Sequence, residues 1–205
     1  MTLPVQPISP LDGRYRSAVA PIGEHLSEAG LNRARVRVEV EWLILLADRG
    51  LFRVAPLADA DRAELRRFAA DFGQVQIDRL AELEAVTRHD VKAVEYLIRE
   101  HLTAIGLDRV AEPVHFACTS EDINNLAYAL TIGDAVREVW QPKLDAAIAA
   151  LTDLAVATRA VPMLAHTHGQ PATPTTMGKE LAVTVHRLQR QRARATGVEP
   201  VGKLN

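Results

Sequence analysis

The sequence predicts an all-α protein: a small N-terminal helical domain followed by the first long helices of an antiparallel bundle, truncated. Three observations carry that expectation. Apolar residues recur three and four apart through most of the chain, the second half is Ala-rich with long uninterrupted segments, and no run of period-two alternation stands out. Within 205 residues there is room for one sizeable core or two modest ones. A composition 48% hydrophobic and 24% charged is that of an ordinary soluble protein and argues against disorder. No apolar run approaches the roughly 20 residues of a membrane span, and Met1 to Pro10 has neither the basic cluster nor the apolar stretch of a signal peptide. A net charge of −2 argues against a large nucleic-acid footprint, and the basic run from Arg187 to Arg194 reads as a solvated helix face. The single cysteine, Cys118, excludes an internal disulfide framework and fits a cytoplasmic location.

In chain order, Ser9-Pro10-Leu11-Asp12-Gly13-Arg14-Tyr15 is turn chemistry, with Pro10 fixing one dihedral and Gly13 able to take positive φ. It is either a surface turn or a rigid loop that offers the Arg14 guanidinium and the Tyr15 phenol to a phosphate or carboxylate. From Leu31 to Arg49 the stripe Val36, Val40, Leu43 and Ala47 predicts a helix, which Gly50 ends as a C-cap would. A second helix starts near Asp59 and stops around Gly73, and Val75 to Val86 continues the pattern through Ile77, Leu80 and Leu83. Thr87-Arg88-His89-Asp90 interrupts it. Asp90 is the expected N-cap of Val91 to Leu102, whose Val94, Leu97, Ile98 and Leu102 form a buried stripe. The junction is either a capped turn with His89 exposed or a site, because Arg88, His89 and Asp90 set a cation, a titratable ring and a carboxylate side by side at a helix start.

Glu112 to Phe116, with Pro113, reads as a linker and divides the chain into an N-terminal helical domain, residues 1–112, and the start of the bundle, residues 113–205. Thr119 and Ser120 ahead of two acids predict a helix start, with Thr119 and Asp122 as a capping box. The same hydroxyls, with unpaired backbone N–H groups, suit a ligand carboxylate. Cys118 has no evident base beside it and reads as a small buried residue rather than a nucleophile. Ile123 to Trp140 and Pro142 to Ala160 are expected as long helices, the latter with Leu144, Ile148, Leu151 and Ala155 on one face. Thr175 to Arg194 is a third, with Leu181, Val185 and Leu188 on its stripe.

Leu164 to Lys179 is the densest polar stretch. Pro171 and Pro174 forbid helix through its middle, and Thr173-Pro174 has the signature of an N-cap and first residue of a new helix. His168 is thus expected on a stiff non-helical strip aimed at the positive end of a helix, a place to bind an anion and move a proton. His166 and His168 also suggest metal binding, but no carboxylate or third histidine stands at ligand spacing.

Four stretches then converge: Ser-Pro-Leu-Asp-Gly-Arg-Tyr from Ser9, His-Asp-Val-Lys-Ala-Val-Glu-Tyr from His89, Cys-Thr-Ser-Glu-Asp-Ile-Asn-Asn from Cys118, and Thr-His-Gly-Gln-Pro-Ala-Thr-Pro from Thr167. In this order they resemble the adenylosuccinate lyase family of the fumarase/aspartase superfamily; the Gly-Arg-Tyr and Cys-Thr-Ser-Glu-Asp forms favour it over argininosuccinate lyase. The resemblance implies elimination of fumarate from adenylosuccinate, giving AMP, and from the corresponding succinyl-carboxamide ribotide of purine synthesis. It implies a cytoplasmic homotetramer with no cofactor, no metal, and no nucleic-acid or membrane partner. His168 would be the general acid and His89 would assist at the phosphate or leaving-group side. Arg14, Tyr15, Arg88, Asp90, Thr119 and Ser120 would bind substrate, and Thr167 and Gln170 would orient it or the His168 ring. Such chemistry needs a base beside a carboxylate, fixed donors for the anionic intermediate and an acid for the departing nitrogen. Two positions depart from the family pattern: Arg88 stands in place of Asn, and His166 in place of Arg. The family's S-S-x-M-P-x-K-x-N-P loop, whose serine is the base, has no match in these residues. The chain is therefore expected to be an incomplete portion, inactive alone. The alternative is a naturally short, non-catalytic paralogue acting as a helical interaction module.

Overall fold

A computed structural model describes residues 7–203; residues 1–6, part of the stretch read above for a signal peptide, and residues 204–205 lie outside the description. Its contacts fall into two compact units, residues 1–133 with 200–205, and residues 134–199. The boundary expected between residues 112 and 113 lies inside the first unit.

The first unit is built around one helix. In order it contains α1 (Arg16–Leu26), α2 (Glu28–Asp48), α3 (Asp59–Ala70), α4 (Gln74–Thr87), α5 (Asp90–Ala104) and α6, which starts at Ser120 and ends at Asp134, just past the division. The expected stripe of α2 is fully inside, with Val36 and Leu43 at 0% exposure. Ile44 and Leu46 are buried as well, so α2 is enclosed over much of its circumference and is covered on several sides. Leu65 of α3, Leu80 of α4 and Val94, Ile98 and Leu102 of α5 close over it in one core. At roughly 1.5–3 kcal/mol for each fully buried large aliphatic side chain, that cluster is the main source of the unit's stability. Gly50 takes a left-handed φ of 58° directly after the Arg49 C-cap, as its position required. Gly30 is where α1 meets α2: a Cβ there would stand 2.5 Å from the His25 carbonyl oxygen.

In the second unit a π-helical turn (Ala135–Trp140) leads into α7 (Gln141–Ala157), a β-hairpin and α8 (Met177–Thr196). The single helix expected from Ile123 to Trp140 thus gives way to π geometry after Asp134. Helices α7 and α8 run antiparallel, because Asp145 pairs with Arg192 while Gly178 lies against Ala155 at the opposite end. Ile148, Ala155 and Val185 are the buried residues of that seam. Gly178 is essential to it, since a Cβ would come within 2.2 Å of the Ala155 carbonyl oxygen.

Among the described residues the fold is all-α as expected except for this hairpin, which corrects the expectation of no strands. Strand β1 (Pro162–Thr167) pairs antiparallel with β2 (Gln170–Thr176), and Ala172 and Thr173 bulge opposite Ala165. No face of the hairpin is buried, so it leaves no alternating signature, and its prolines are tolerated because a two-stranded ribbon has only edge strands. The helix expected from Thr173-Pro174 begins later. Pro174 pairs with Leu164, and Thr176 is the N-cap, its hydroxyl accepting the Lys179 N–H at 3.2 Å.

Candidate active site

The junction between α4 and α5 is sharper than its sequence suggested. Arg88 ends α4 in the left-handed region, φ 54°, a conformation that costs a residue with a Cβ and is common at functional turns. His89, not Asp90, is the N-cap: its backbone is extended and its Nδ1 accepts the Lys92 N–H at 3.2 Å. Asp90 is the first helical residue. Its Oδ1 accepts the Val91 N–H at 2.9 Å and its Oδ2 accepts from Arg35 at 2.7 Å. Desolvation pushes the Asp90 carboxyl upward, but the Val91 N–H and the Arg35 guanidinium outweigh it and hold the group below the usual carboxylate range.

The start of α6 meets this junction. Ser120 Oγ lies 3.5 Å from His89 Nε2, at the outer limit of hydrogen-bond reach. Because Nδ1 is already an acceptor, the neutral ring carries its proton on Nε2, facing Ser120. The capping box forms in altered form: the Asp122 carboxylate accepts both the Thr119 N–H, at 2.7 Å, and the Thr119 hydroxyl, at 2.9 Å. The start of α6 thus stands beside the His89 ring and the Ser120 hydroxyl, a combination of donors suited to an anion.

A residue absent from the sequence expectations ties the patch together. Arg35 of α2, only 5% exposed, donates from Nη2 to Asp90, from Nε to Asn124 Oδ1 at 2.9 Å and from Nη1 to Asn32 Oδ1 at 2.8 Å. The sequence alone does not separate it from Arg37, which lies in the same run and is exposed; Arg35 is enclosed because α2 is covered on several sides. Glu39, one turn on, is fully buried and bonds the His115 ring, while its Oε2 has no hydrogen-bond partner among the described residues. That bond raises the His115 pKa above its ordinary value against the effect of burial. Cys118, half-buried nearby in sequence, is pushed up to about 11 by desolvation and by the Glu39 and Asp122 charges, so the thiol stays protonated and inert as expected.

The N-terminal loop is closed by its own hydrogen bonds. Asp12 accepts from the Ser9 N–H at 2.7 Å, the Ser9 hydroxyl and the Ile8 N–H, and these donors hold its carboxyl low. Gly13 is not in the left-handed region; an added Cβ there would lie 3.1 Å from Pro7 Cβ and Cγ, a tight approach that a small shift of Pro7 would relieve. Arg14 and Tyr15 are both exposed, with the guanidinium 4.7 Å from the ring centroid and Nη2 donating to the phenol oxygen at 3.2 Å.

His168 occupies the tip of the β-hairpin, with Gly169. Their φ values of 49° and 74° are the two positive values of a type I′ turn. Thr167 and Gln170 form the closing cross-strand pair, so they flank the His168 ring, and all three are exposed. The strip is not aimed at a helix start. The turn lies at the far end of the hairpin from α8, roughly 20 Å away at about 3.3 Å per residue. The first N–H groups of α8 are moreover taken, by Val161 O, Thr158 O and Thr176 Oγ1. His168 is therefore presented by backbone geometry alone, without a helix dipole. Among the described residues no three His, Cys, Asp or Glu side chains cluster as metal ligands.

A family model described as lyase matches residues 13–203, nearly the whole chain. The chain belongs to this lyase family. It is 44% identical over 200 residues to the adenylosuccinate lyase of Haemophilus influenzae and to that of Escherichia coli, covering 97% of this chain and 44% of each relative. The chain thus spans less than half the length of the curated relatives it matches. The fold is shared with solved structures: the fumarate lyase of Mesorhizobium sp. BNC1 superposes with a TM-score of 0.67 at 23% identity, over 85% of this chain and 38% of that one. The candidate residues of this family member are thus carried by three segments: the Arg14–Tyr15 loop and the His89–Ser120 junction in the first unit and the His168 hairpin tip in the second.

Proposed function

We propose that this chain carries the substrate-binding and proton-donating part of an adenylosuccinate lyase, which eliminates fumarate from adenylosuccinate and from the succinyl-carboxamide ribotide. The observation that carries the reading is the convergence of two helix starts at His89 and Ser120 within a chain so similar to these lyases. A phosphate or carboxylate fits the His89 Nε2–H, the Ser120 hydroxyl and the exposed first turn of α6; Arg88 and the Arg14–Tyr15 loop supply further donors. His168, held at the hairpin tip, donates the proton to the departing nitrogen, with Thr167 and Gln170 orienting the ring or the substrate. Proton abstraction falls to the serine of the loop motif absent from these residues, so the chain alone binds AMP weakly and turns over nothing. A homotetramer in the cytoplasm, with neither cofactor nor metal, completes the reading. No described helix is long and apolar enough to cross a membrane.

The test joins the chain in frame to the remaining segment of the Escherichia coli relative and follows fumarate release from adenylosuccinate. The fusion is expected to turn over, and His168→Ala to lower its rate by a factor of about 10²–10⁴. A fusion that assembles but releases no fumarate, or one indifferent to His168→Ala, contradicts the proposal. It would favour the helical interaction module instead.

A further inference from the structure

We infer that Arg35 is a positioning residue that fixes both the spacing of the His89–Ser120 pair and the tautomer of the His89 ring. The inference deepens the lyase reading and rests on it for the use to which His89 is put. The geometry stands by itself. A guanidinium 5% exposed on the central helix is costly unless its donors are met. Here they reach three places at once, Asn32 on α2 itself, Asp90 at the start of α5 and Asn124 near the start of α6. Asp90 directly follows His89, and Asn124 lies one helical turn beyond Ser120, on the same face. A rigid planar fork that grips both therefore sets the distance between the two helix starts, and with it the 3.5 Å between the His89 ring and the Ser120 hydroxyl.

The same fork governs the ring's proton. Arg35 holds Asp90 Oδ2, the Val91 N–H holds Oδ1, and Oδ1 stays 3.6 Å from His89 Nδ1, outside hydrogen-bond distance. The neighbouring carboxylate is thus withheld from the ring. Nδ1 remains the acceptor of the Lys92 N–H, and the neutral ring keeps its proton on Nε2 where a substrate anion would meet it. A merely structural Arg35 would change stability and leave the ring as it is.

The experiment uses the chain itself, labelled with ¹⁵N-histidine, and reads the His89 ring nitrogens and the NOE between its ring protons and the Ser120 β protons. Wild type is expected to show one Nε2–H tautomer and a clear NOE. Arg35→Met, with helical circular dichroism retained, is expected to lose the NOE and to shift toward Nδ1–H as the released Asp90 carboxylate turns to the ring. If Arg35→Met does not fold, Arg35→Lys decides: it keeps a cation for Asp90 but cannot fork to Asn124, so the NOE weakens while the tautomer persists. A folded Arg35→Met with the wild-type tautomer and NOE, an Arg35→Lys with an undiminished NOE, or a wild type lacking the NOE overturns the inference. None of these readouts requires turnover, so a fusion that releases no fumarate would refute the lyase reading and leave this result standing.

Discussion

The helix junction at His89 and the hairpin tip at His168 hold their histidines by opposite means. His89 caps a helix, its Nδ1 is engaged, its Nε2 faces Ser120, and the helix starts on either side are gripped from within the core by Arg35. His168 is placed by two positive φ values in a tight turn, and among the described residues no side chain hydrogen-bonds its ring. The first arrangement is preorganised by packing and costs a buried charge. The second depends on local backbone geometry and leaves the ring adaptable. On the proposed reading, His168 as a general acid must reach a departing nitrogen and His89 as a binding group must hold an anion still, and these are different needs.

The largest expected effect breaks the junction from below. Leu43→Ala, at 0% exposure in the core of the first unit, should cost about 2–5 kcal/mol, read as a lowered urea midpoint, and should take the His89–Ser120 NOE with it. Next is the seam beneath the hairpin. Gly178→Ala forces a Cβ against the Ala155 carbonyl and the Arg159 backbone and should cost about 1–3 kcal/mol, seen as faster hydrogen exchange in α7 and α8.

A third prediction concerns pH. The hydrogen bond to Glu39 raises the His115 pKa, so the stability it gives is complete below the ordinary value of 6.5 and is lost as pH rises through the raised value. Burial lowers the pKa of His101, which stacks on Phe68 at 3.9 Å, so its contribution is present above 6.5 and is lost as pH falls through the lowered value. Urea midpoints against pH should show both slopes; His115→Gln should remove the alkaline one and His101→Phe the acid one. The smallest effect is at the hairpin tip. His168→Ala should change the stability of the chain by no more than about 0.5 kcal/mol, because it removes no packing; a larger loss would show that the ring is held after all.

Much of the first unit was legible in the sequence because its helices bury ordinary apolar stripes. Val36, Val40, Leu43 and Ala47, and the corresponding four positions of α5, are all inside. Of the candidate site, the gathering of His89, Asp90 and Ser120 follows from residues that the sequence singled out, whereas Arg14 and Tyr15 were recognised singly and the hairpin residues belong to the second unit. What escaped has physical causes. Arg35 and Glu39 were passed over because helical period alone does not reveal that α2 is covered on more than one side. The hairpin escaped because alternation reports burial of a face, and a ribbon exposed on both faces has none. His89 displaced Asp90 as the cap because an imidazole nitrogen accepts an N–H as a carboxylate does, which frees Asp90 for Arg35.

The contrast between the two histidines can be read in one long-range ¹H–¹⁵N spectrum of the chain with its imidazoles neutral. His89 should appear as a single Nε2–H tautomer with an acceptor Nδ1, while His168 should give the averaged nitrogen shifts of a ring exchanging between tautomers. Averaged shifts for both rings would mean that the junction is no more organised than the turn, and would contradict the preorganised anion site at the centre of this account.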